Sequence, residues 1–290
     1  MSDIEQEVAT QPACWRRAIE LAETPTGLPA IAERAAVVGC GTSFHVATAY
    51  AALREDGGHG PTDAFPASEF PGRRSYDRIL ALSRSGTTTE VLQLLERLEG
   101  VPTTVITADP DSPVADLAGE VVSLAFADER SVVQTRFATS AIALLRAHLG
   151  EDLGSAIADG ERALAAPLDL DPERYRHAVF LGHRWTVGIA DEAALKLREA
   201  TQTYSESYPA MEFRHGPISL ATDRSLVWIL GSPDPTLADD VAVTGATVRV
   251  ASFDPIAELI LVHRLAIAIA AAKGLDPDHP AHLNRSVVLP

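Results

Sequence analysis

Apolar residues fall into short, nearly continuous runs, and each run is followed by a longer stretch of helical spacing. Ala35-Ala36-Val37-Val38 reads as a short buried strand that breaks at Gly39-Cys40-Gly41, where Ser43 is placed to cap a helix running to about residue 55. Ile79-Leu80-Ala81-Leu82 reads as a second strand. It ends at Ser83-Arg84-Ser85-Gly86 and leads into a helix over 88–98 that is apolar at Val91, Leu94, Leu95 and Leu98. Strands are expected over 103–107 and 121–126, and a helix over 135–149, with a helical lead-in over 12–34. The order then repeats: strand 178–181, helix 188–203, strands 225–231 and 246–251, helix 256–273. Strands alternating with helices predict an α/β fold of parallel sheets covered on both faces.

The repetition has a fixed offset. Val38-Gly39 and Leu181-Gly182, Pro66-Ala67-Ser68-Glu69-Phe70 and Pro209-Ala210-Met211-Glu212-Phe213, and Thr104-Val105 and Thr247-Val248 all lie 143 positions apart. One offset shared by separate blocks predicts two tandem copies of one α/β unit. The expected division is a first unit over 1–150, an acidic connector over 151–172 and a second unit over 173–290. Ligands of open parallel sheets sit at the carboxyl ends of the strands. The informative loops are therefore those after Val38, Leu82 and Leu181, and the one near residue 130.

Composition narrows the function. The chain has 290 residues, 46% of them hydrophobic, which is enough for a substantial core. Its net charge of −16 repels phosphodiester backbones and anionic lipid surfaces, so neither nucleic-acid nor membrane partners are expected. Its two cysteines, Cys14 and Cys40, lack paired spacing, which suits a reducing, cytoplasmic setting. The acidic start reads as no secretion signal. The run Leu265 to Ala272 is too short to span a bilayer and is expected to be a buried helix.

Ser83-Arg84-Ser85-Gly86-Thr87-Thr88 joins a buried strand to a helix. A helix N-terminus offers free N–H groups and a partial positive charge. The hydroxyls of Ser83, Ser85 and Thr88 add short donors, and Gly86 permits close approach, a set that matches a terminal phosphate. The alternative is a helix cap with surplus serines. Gly39-Cys40-Gly41-Thr42-Ser43 is a second loop of this kind. Phe44 stands where a dinucleotide fingerprint needs its third glycine, which argues against a nicotinamide enzyme. At the 143 offset, Gly41-Thr42-Ser43 becomes Arg184-Trp185-Thr186, so the anion is expected in the first copy.

In the second copy, Glu192, Lys196 and Glu199 fall at i, i+4 and i+7 and share one helix face. The bland reading is a solvated salt-bridge stripe. The apolar Ala193, Ala194, Leu195 and Leu197 around them favour a partly buried proton shuttle. His215, in a loop after Arg214, is a candidate for acid–base work near neutrality. The nine histidines show no metal-ligand spacing, so no metal or other cofactor is expected.

Together these segments resemble the sugar isomerase (SIS) family, and more closely the isomerase half of glucosamine-6-phosphate synthase. The resemblance rests on Cys40-Gly41-Thr42-Ser43, Ser83-Arg84-Ser85-Gly86-Thr87-Thr88, the stretch from Glu192 to Glu199, His215-Gly216-Pro217 and the tail from Asp278 to Val288. It implies two tandem SIS-type units of flavodoxin-like, three-layer form. It also implies that Cys40, Gly41, Thr42, Ser43, Ser83, Arg84, Ser85, Thr88, Val132, Gln134, Asn284 and Arg285 bind substrate phosphate and sugar. Glu199 would move a proton between C1 and C2, supported by Lys196 and Glu192. His215 would assist ring opening in the neighbouring subunit's site, which implies a homodimer. Three departures stand out. No glutamine-hydrolysing domain with an N-terminal cysteine precedes the unit, so a glutamine-independent reaction is expected. The family's imine-forming tail lysine is Arg285, a poor imine former. The segment 131–139 carries Gln134 and Arg136.

The expected protein is thus an enzyme acting on a phosphorylated sugar or amino sugar: an aldose–ketose isomerase, a deaminase or a fructosamine-phosphate deglycase. The alternatives are a non-catalytic sugar-phosphate-binding regulator of the same fold and, less supported, a metal-dependent isomerase.

Overall fold

The computed structural model describes residues 1–24 and 27–289; residues 25, 26 and 290, including part of the expected 12–34 lead-in, lie outside the described residues. In chain order the elements are α1 (Asp3–Ala9), α2 (Gln11–Ala22), β1 (Ala35–Gly39), α3 (Thr42–Asp56), β2 (Thr62–Pro66), β3 (Arg78–Leu82), α4 (Thr89–Arg97), β4 (Thr103–Thr107), α5 (Pro113–Leu117), β5 (Glu120–Ser123) and α6 (Arg136–His148). They continue with α7 (Gly154–Ala165), β6 (His177–Gly182), α8 (Thr186–Thr201), β7 (Tyr204–Pro209), β8 (Ser225–Ile229), α9 (Leu237–Ala242), β9 (Thr247–Val250) and α10 (Pro255–Ala272).

Two parallel sheets result, with orders β2-β1-β3-β4-β5 and β7-β6-β8-β9. The central strands β1 and β8 are buried at every position and β6 at all but its first, His177, as apolar runs covered on both faces must be. The edge strands β2 and β7 read Thr-Asp-Ala-Phe-Pro and Tyr-Ser-Glu-Ser-Tyr-Pro. They lacked a sequence signal because only their pairing to β1 and β6 makes them strands. Of the expected 12–34 lead-in, α2 covers 12–22, the described residues 23, 24 and 27–34 are not helical, and α1 is a further helix ahead of it.

The 143-residue offset holds in three dimensions. A Cβ on Gly39 would meet the Ser43 carbonyl carbon at 2.6 Å, and one on Gly182 would meet the Thr186 carbonyl oxygen at 2.3 Å. Gly41 and Arg184 both take a left-handed φ, of 53° and 52°. The strand orders also match element for element up to the fourth strand.

The chain forms two compact units that differ from the expected 1–150 and 173–290. The β1–β5 unit holds Ala13–Arg130, Gln134–Leu153 and the tail Asn284–Pro290. The β6–β9 unit holds Met1–Pro12, Ser131–Val133 and Gly154–Leu283. The ends are exchanged for specific reasons. The N–H groups of Asp3 and Ile4 donate to the Asp278 carboxylate at 3.0 and 2.8 Å, and Thr89 N–H donates to the Val287 carbonyl at 3.1 Å. Most of the expected connector is α7, a helix of the β6–β9 unit that packs on α10.

In each unit a buried glutamate lies at the start of the helix packed on the first crossover helix, α6 on α3 and α10 on α8. Glu258, wholly buried, accepts from Ser252 N–H at 2.8 Å, Phe253 N–H at 3.0 Å and Trp228 Nε1–H at 3.0 Å. By length and composition the 18-residue α10 passes for a membrane-crossing helix, longer than the 265–272 run suggested, but two-thirds of it is buried inside its unit. It is a core helix. Glu258→Ala removes the acceptor of the buried Trp228 Nε1–H and of two less buried amides, so unfolding in urea should show a loss of about 2 kcal/mol or more. A loss under about 1 kcal/mol would mean that water already serves them.

Candidate functional site

In the β1–β5 unit the strand order reverses between β1 and β3, the switch point at which such sheets bind ligands. Val38 pairs with Ala81 across these strands, so the loops beginning at Cys40 and Ser83 leave side by side from their carboxyl ends. Thr42, Ser43, Ser83 and Ser85 are all buried at 8% exposure or less. The first loop differs from expectation in its cap: α3 starts at Thr42, Gly41 occupies the cap position without a side-chain bond, and Ser43 is already inside the first turn. Burial, reinforced by the nearby Glu90 and opposed by a backbone hydrogen bond at Ala67, pushes the Cys40 thiol up from its ordinary pKa. It is a neutral wall of the loop.

In the second loop Gly86 has φ of 65°, and a Cβ there would meet Ser112 Oγ at 1.7 Å, so only glycine fits. Thr88 is the N-cap of α4 but makes no capping bond with its side chain. Ser85 Oγ accepts from Thr87 N–H at 3.3 Å and Thr87 Oγ1–H at 3.2 Å. Ser83 Oγ is buried with no hydrogen-bond partner among the described residues, and so is Gln134 Oε1. Buried polar atoms left unpaired are costly, and a ligand or a water relieves that cost.

The Arg84 side chain is engaged by a carboxylate of its own unit. It is 1% exposed and faces Glu129, with Nη1 3.6 Å from Oε2, while Nη2 donates to the Arg285 carbonyl at 2.7 Å. Glu129 Oε1 accepts from Thr135 N–H at 2.5 Å, Thr135 Oγ1–H at 3.0 Å and Arg136 N–H at 2.7 Å, which ties it to the start of α6. Arg285 Nη2 donates to Asp128 Oδ1 at 2.5 Å, and its Nη1 donates to the Glu129 carbonyl. Arg285 is thus bound within the chain, and Asn284 beside it is exposed. Neither Glu129 nor its partners could be paired from local spacing.

The β6–β9 unit holds the other candidates. On α8, Lys196 Nζ lies 2.6 Å from Glu199 Oε2 and 3.5 Å from Glu192 Oε1. Lys196 and Glu192 are buried, both side chains 1% exposed, whereas Glu199 is 21% exposed. The stripe is therefore not solvated. Its buried end fixes the lysine, and its accessible end presents a carboxylate.

His263 of α10 is fully buried. Its Nδ1 lies 3.1 Å from Gln11 Nε2, whose amide N–H donates to it, so the ring proton sits on Nε2. Burial, with the Lys196 charge adding to it, lowers its pKa to about 3. Sequence reading missed this pair because its partners are 252 residues apart. His215 ends a 3-10 turn (Ala210–His215), exposed, and no bond joins it to the Glu192–Lys196–Glu199 set among the described residues. Arg214 beside it is tied to Asp234 at 2.9 Å and to Asp240. Val132 belongs to this unit, its N–H bound to the Asp278 carbonyl at 3.1 Å, while Gln134 belongs to the other.

Two outcomes follow. Arg84→Ala leaves Glu129 as an uncompensated buried charge, so it should cost about 3–5 kcal/mol in a denaturant melt; a fully stable variant with weaker anion binding would restore Arg84 as a ligand. For His263 the folded pKa lies below the unfolded value. The unfolded chain therefore binds the extra proton, and stability falls as pH drops from about 6.5 towards 3. His263→Asn should flatten the fall in urea midpoint between pH 6.5 and 4. An unchanged pH slope would refute the assignment.

Comparisons with known proteins agree with this geometry. Residues 30–147 match the SIS domain family. The glutamine–fructose-6-phosphate aminotransferase (isomerizing) of Gloeobacter violaceus is 29% identical over an alignment covering 89% of this chain and 52% of that protein. The chain thus spans about half the length of such relatives. The crystal structure of glucosamine-6-phosphate deaminase from Thermotoga maritima is 26% identical, with a TM-score of 0.82 over 99% of this chain and 100% of that one. The C-terminal domain of glucosamine-fructose-6-phosphate aminotransferase from Francisella tularensis, 21% identical, shares the fold with a TM-score of 0.81 over 96% of this chain and 98% of that one.

Proposed function

The chain carries an SIS domain over residues 30–147, and from that premise we propose that it is an enzyme of phosphorylated sugars or amino sugars built from two tandem SIS-type units. The hydroxyls of Thr42, Ser43, Ser83, Ser85 and Thr88 hold the substrate phosphate. Glu199 moves a proton between C1 and C2, giving isomerisation, or release of an amine where C2 or C1 bears nitrogen. The observation that carries this reading is the graded burial on α8: Lys196 is held beside Glu192, and the carboxylate it contacts at 2.6 Å is the accessible one. A carboxylate in such a place can take a carbon-bound proton and return it to the neighbouring carbon. The neighbouring Lys196 ammonium stabilises the charge that develops on the sugar oxygen.

Relatives named for fructose-6-phosphate and glucosamine-6-phosphate support six-carbon substrates. Gln134 Oε1, an unpaired acceptor, suits a hydroxyl or ammonium donor on the sugar. Arg285 carries a guanidinium, a poor imine former, tied to Asp128, so the reaction proceeds without an imine to the tail. The exposed His215, with no side-chain bond among the described residues, suits a role in a neighbouring copy, so the working form is a homodimer.

Incubation with fructose-6-phosphate, glucosamine-6-phosphate and fructosamine-6-phosphates in deuterated water should put deuterium at C1 or C2, or release amine, as read by NMR. Glu199→Gln should keep substrate binding and lose about 10²–10⁴-fold in turnover. Binding without exchange across the panel would turn the assignment towards a sugar-phosphate sensor.

A further inference from the structure

One more hydroxyl reaches the phosphate loop, from the far end of the chain. Ser286 Oγ lies 3.0 Å from Thr87 Oγ1 and 3.5 Å from Thr88 Oγ1. Thr87 Oγ1 in turn lies 3.2 Å from Ser85 Oγ. The hydroxyls of Ser85, Thr87, Thr88 and Ser286 thus form one connected set at the start of α4. Each carries one proton, and only three contacts link the four oxygens. At least one proton therefore has no acceptor inside the set. Ser83, buried on the same loop, adds a hydroxyl with no partner among the described residues. A cluster of hydroxyls with surplus protons at a helix N-terminus is suited to an acceptor-only group such as a phosphate.

The tail is held so that Ser286 stays there. Arg84 Nη2 donates to the Arg285 carbonyl at 2.7 Å, and the Arg285 guanidinium donates to Asp128 at 2.5 Å and to the Glu129 carbonyl. On the other side, the Val287 carbonyl accepts from Thr89 N–H at 3.1 Å, and Leu289 N–H donates to Thr89 Oγ1 at 2.9 Å. Ser286 lies between these two anchors. Its hydroxyl faces the loop, 3.0 Å from Thr87 Oγ1, while Thr89 N–H is already bonded to the tail.

We propose that Ser286 is a further phosphate-binding residue of this chain, and that Arg285 is the positioning residue that presents it. The inference rests on the phosphosugar reading above and deepens it. It assigns the arginine a mechanical part, locking the tail against Asp128 and Glu129 so that a hydroxyl is delivered to the anion.

The test is calorimetric titration of the whole chain with glucosamine-6-phosphate, and with glucosamine as the control lacking phosphate. Ser286→Ala should weaken glucosamine-6-phosphate binding about tenfold, the order expected for one hydrogen bond to a charged group. Glucosamine binding should be unchanged, and Ser286→Thr, which keeps the hydroxyl, should bind within a few-fold of the parent. Arg285→Ala should give the same loss, and the double variant no further loss, because both changes remove one contact. In turnover the loss should fall on KM, with kcat kept. Thermal melts identify any variant that fails to fold, and Ser286→Ala carries the test by itself. If the parent chain binds glucosamine-6-phosphate and Ser286→Ala binds it equally well, the role of Ser286 is refuted while the phosphosugar reading stands. If the parent does not distinguish glucosamine-6-phosphate from glucosamine, the phosphosugar reading falls and this inference falls with it.

Discussion

The β1–β5 unit depends on one buried carboxylate. Glu129 satisfies the first amides of α6, neutralises Arg84 in the loop after β3, and offers its own carbonyl to Arg285 of the tail. Three segments far apart in sequence are fixed by one side chain with no exposed surface. A buried charge is tolerated only when its partners are complete. The loop, the helix start and the tail therefore hold together or not at all, which is the rigidity that a phosphate cradle of short hydroxyls requires.

The second unit solves the same structural problem and keeps different chemistry. Glu258 secures the start of α10 as Glu129 secures α6, by accepting from backbone amides at or just ahead of the helix start and, for Glu258, from the buried Trp228 Nε1–H. The strand-to-helix turn after β6 keeps the close approach of Gly182 to Thr186 and the left-handed position, but an arginine stands there in place of glycine. A side chain at φ of 52° is strained. The loop after β6 thus differs in chemistry from its counterpart after β1, and the charged set Glu192, Lys196 and Glu199 lies on the helix that follows it.

What local spacing could reveal, the sequence did reveal: the buried strands β1, β3, β6 and β8, the apolar face of α4 at Val91, Leu94 and Leu95, and the shared face of Glu192, Lys196 and Glu199. The edge strands β2 and β7 escaped because their polar residues become strand only through pairing with a neighbour. The ion pair of Arg84 escaped for a similar reason, since its partner Glu129 lies 45 positions on. Ser286 sat in a quoted tail motif, yet its contact with Thr87 spans 199 residues, and no periodicity reports a contact of that range.

The disposition of charge limits how an anion is held. The chain carries −16 overall, and the two arginines beside the loop after β3 are both engaged, Arg84 with Glu129 and Arg285 with Asp128. In the proposed reading, attraction for a phosphate then comes mainly from oriented N–H groups and hydroxyls at the start of α4. Dipoles of this kind act over a few ångströms and discriminate by geometry, whereas free guanidinium groups attract any anion from a distance. A cradle built this way gives up long-range capture and gains selectivity for a ligand whose oxygens fit the hydroxyl spacing. This also explains why the loop can be nearly buried: neutral donors cost far less to desolvate than an unpaired cation.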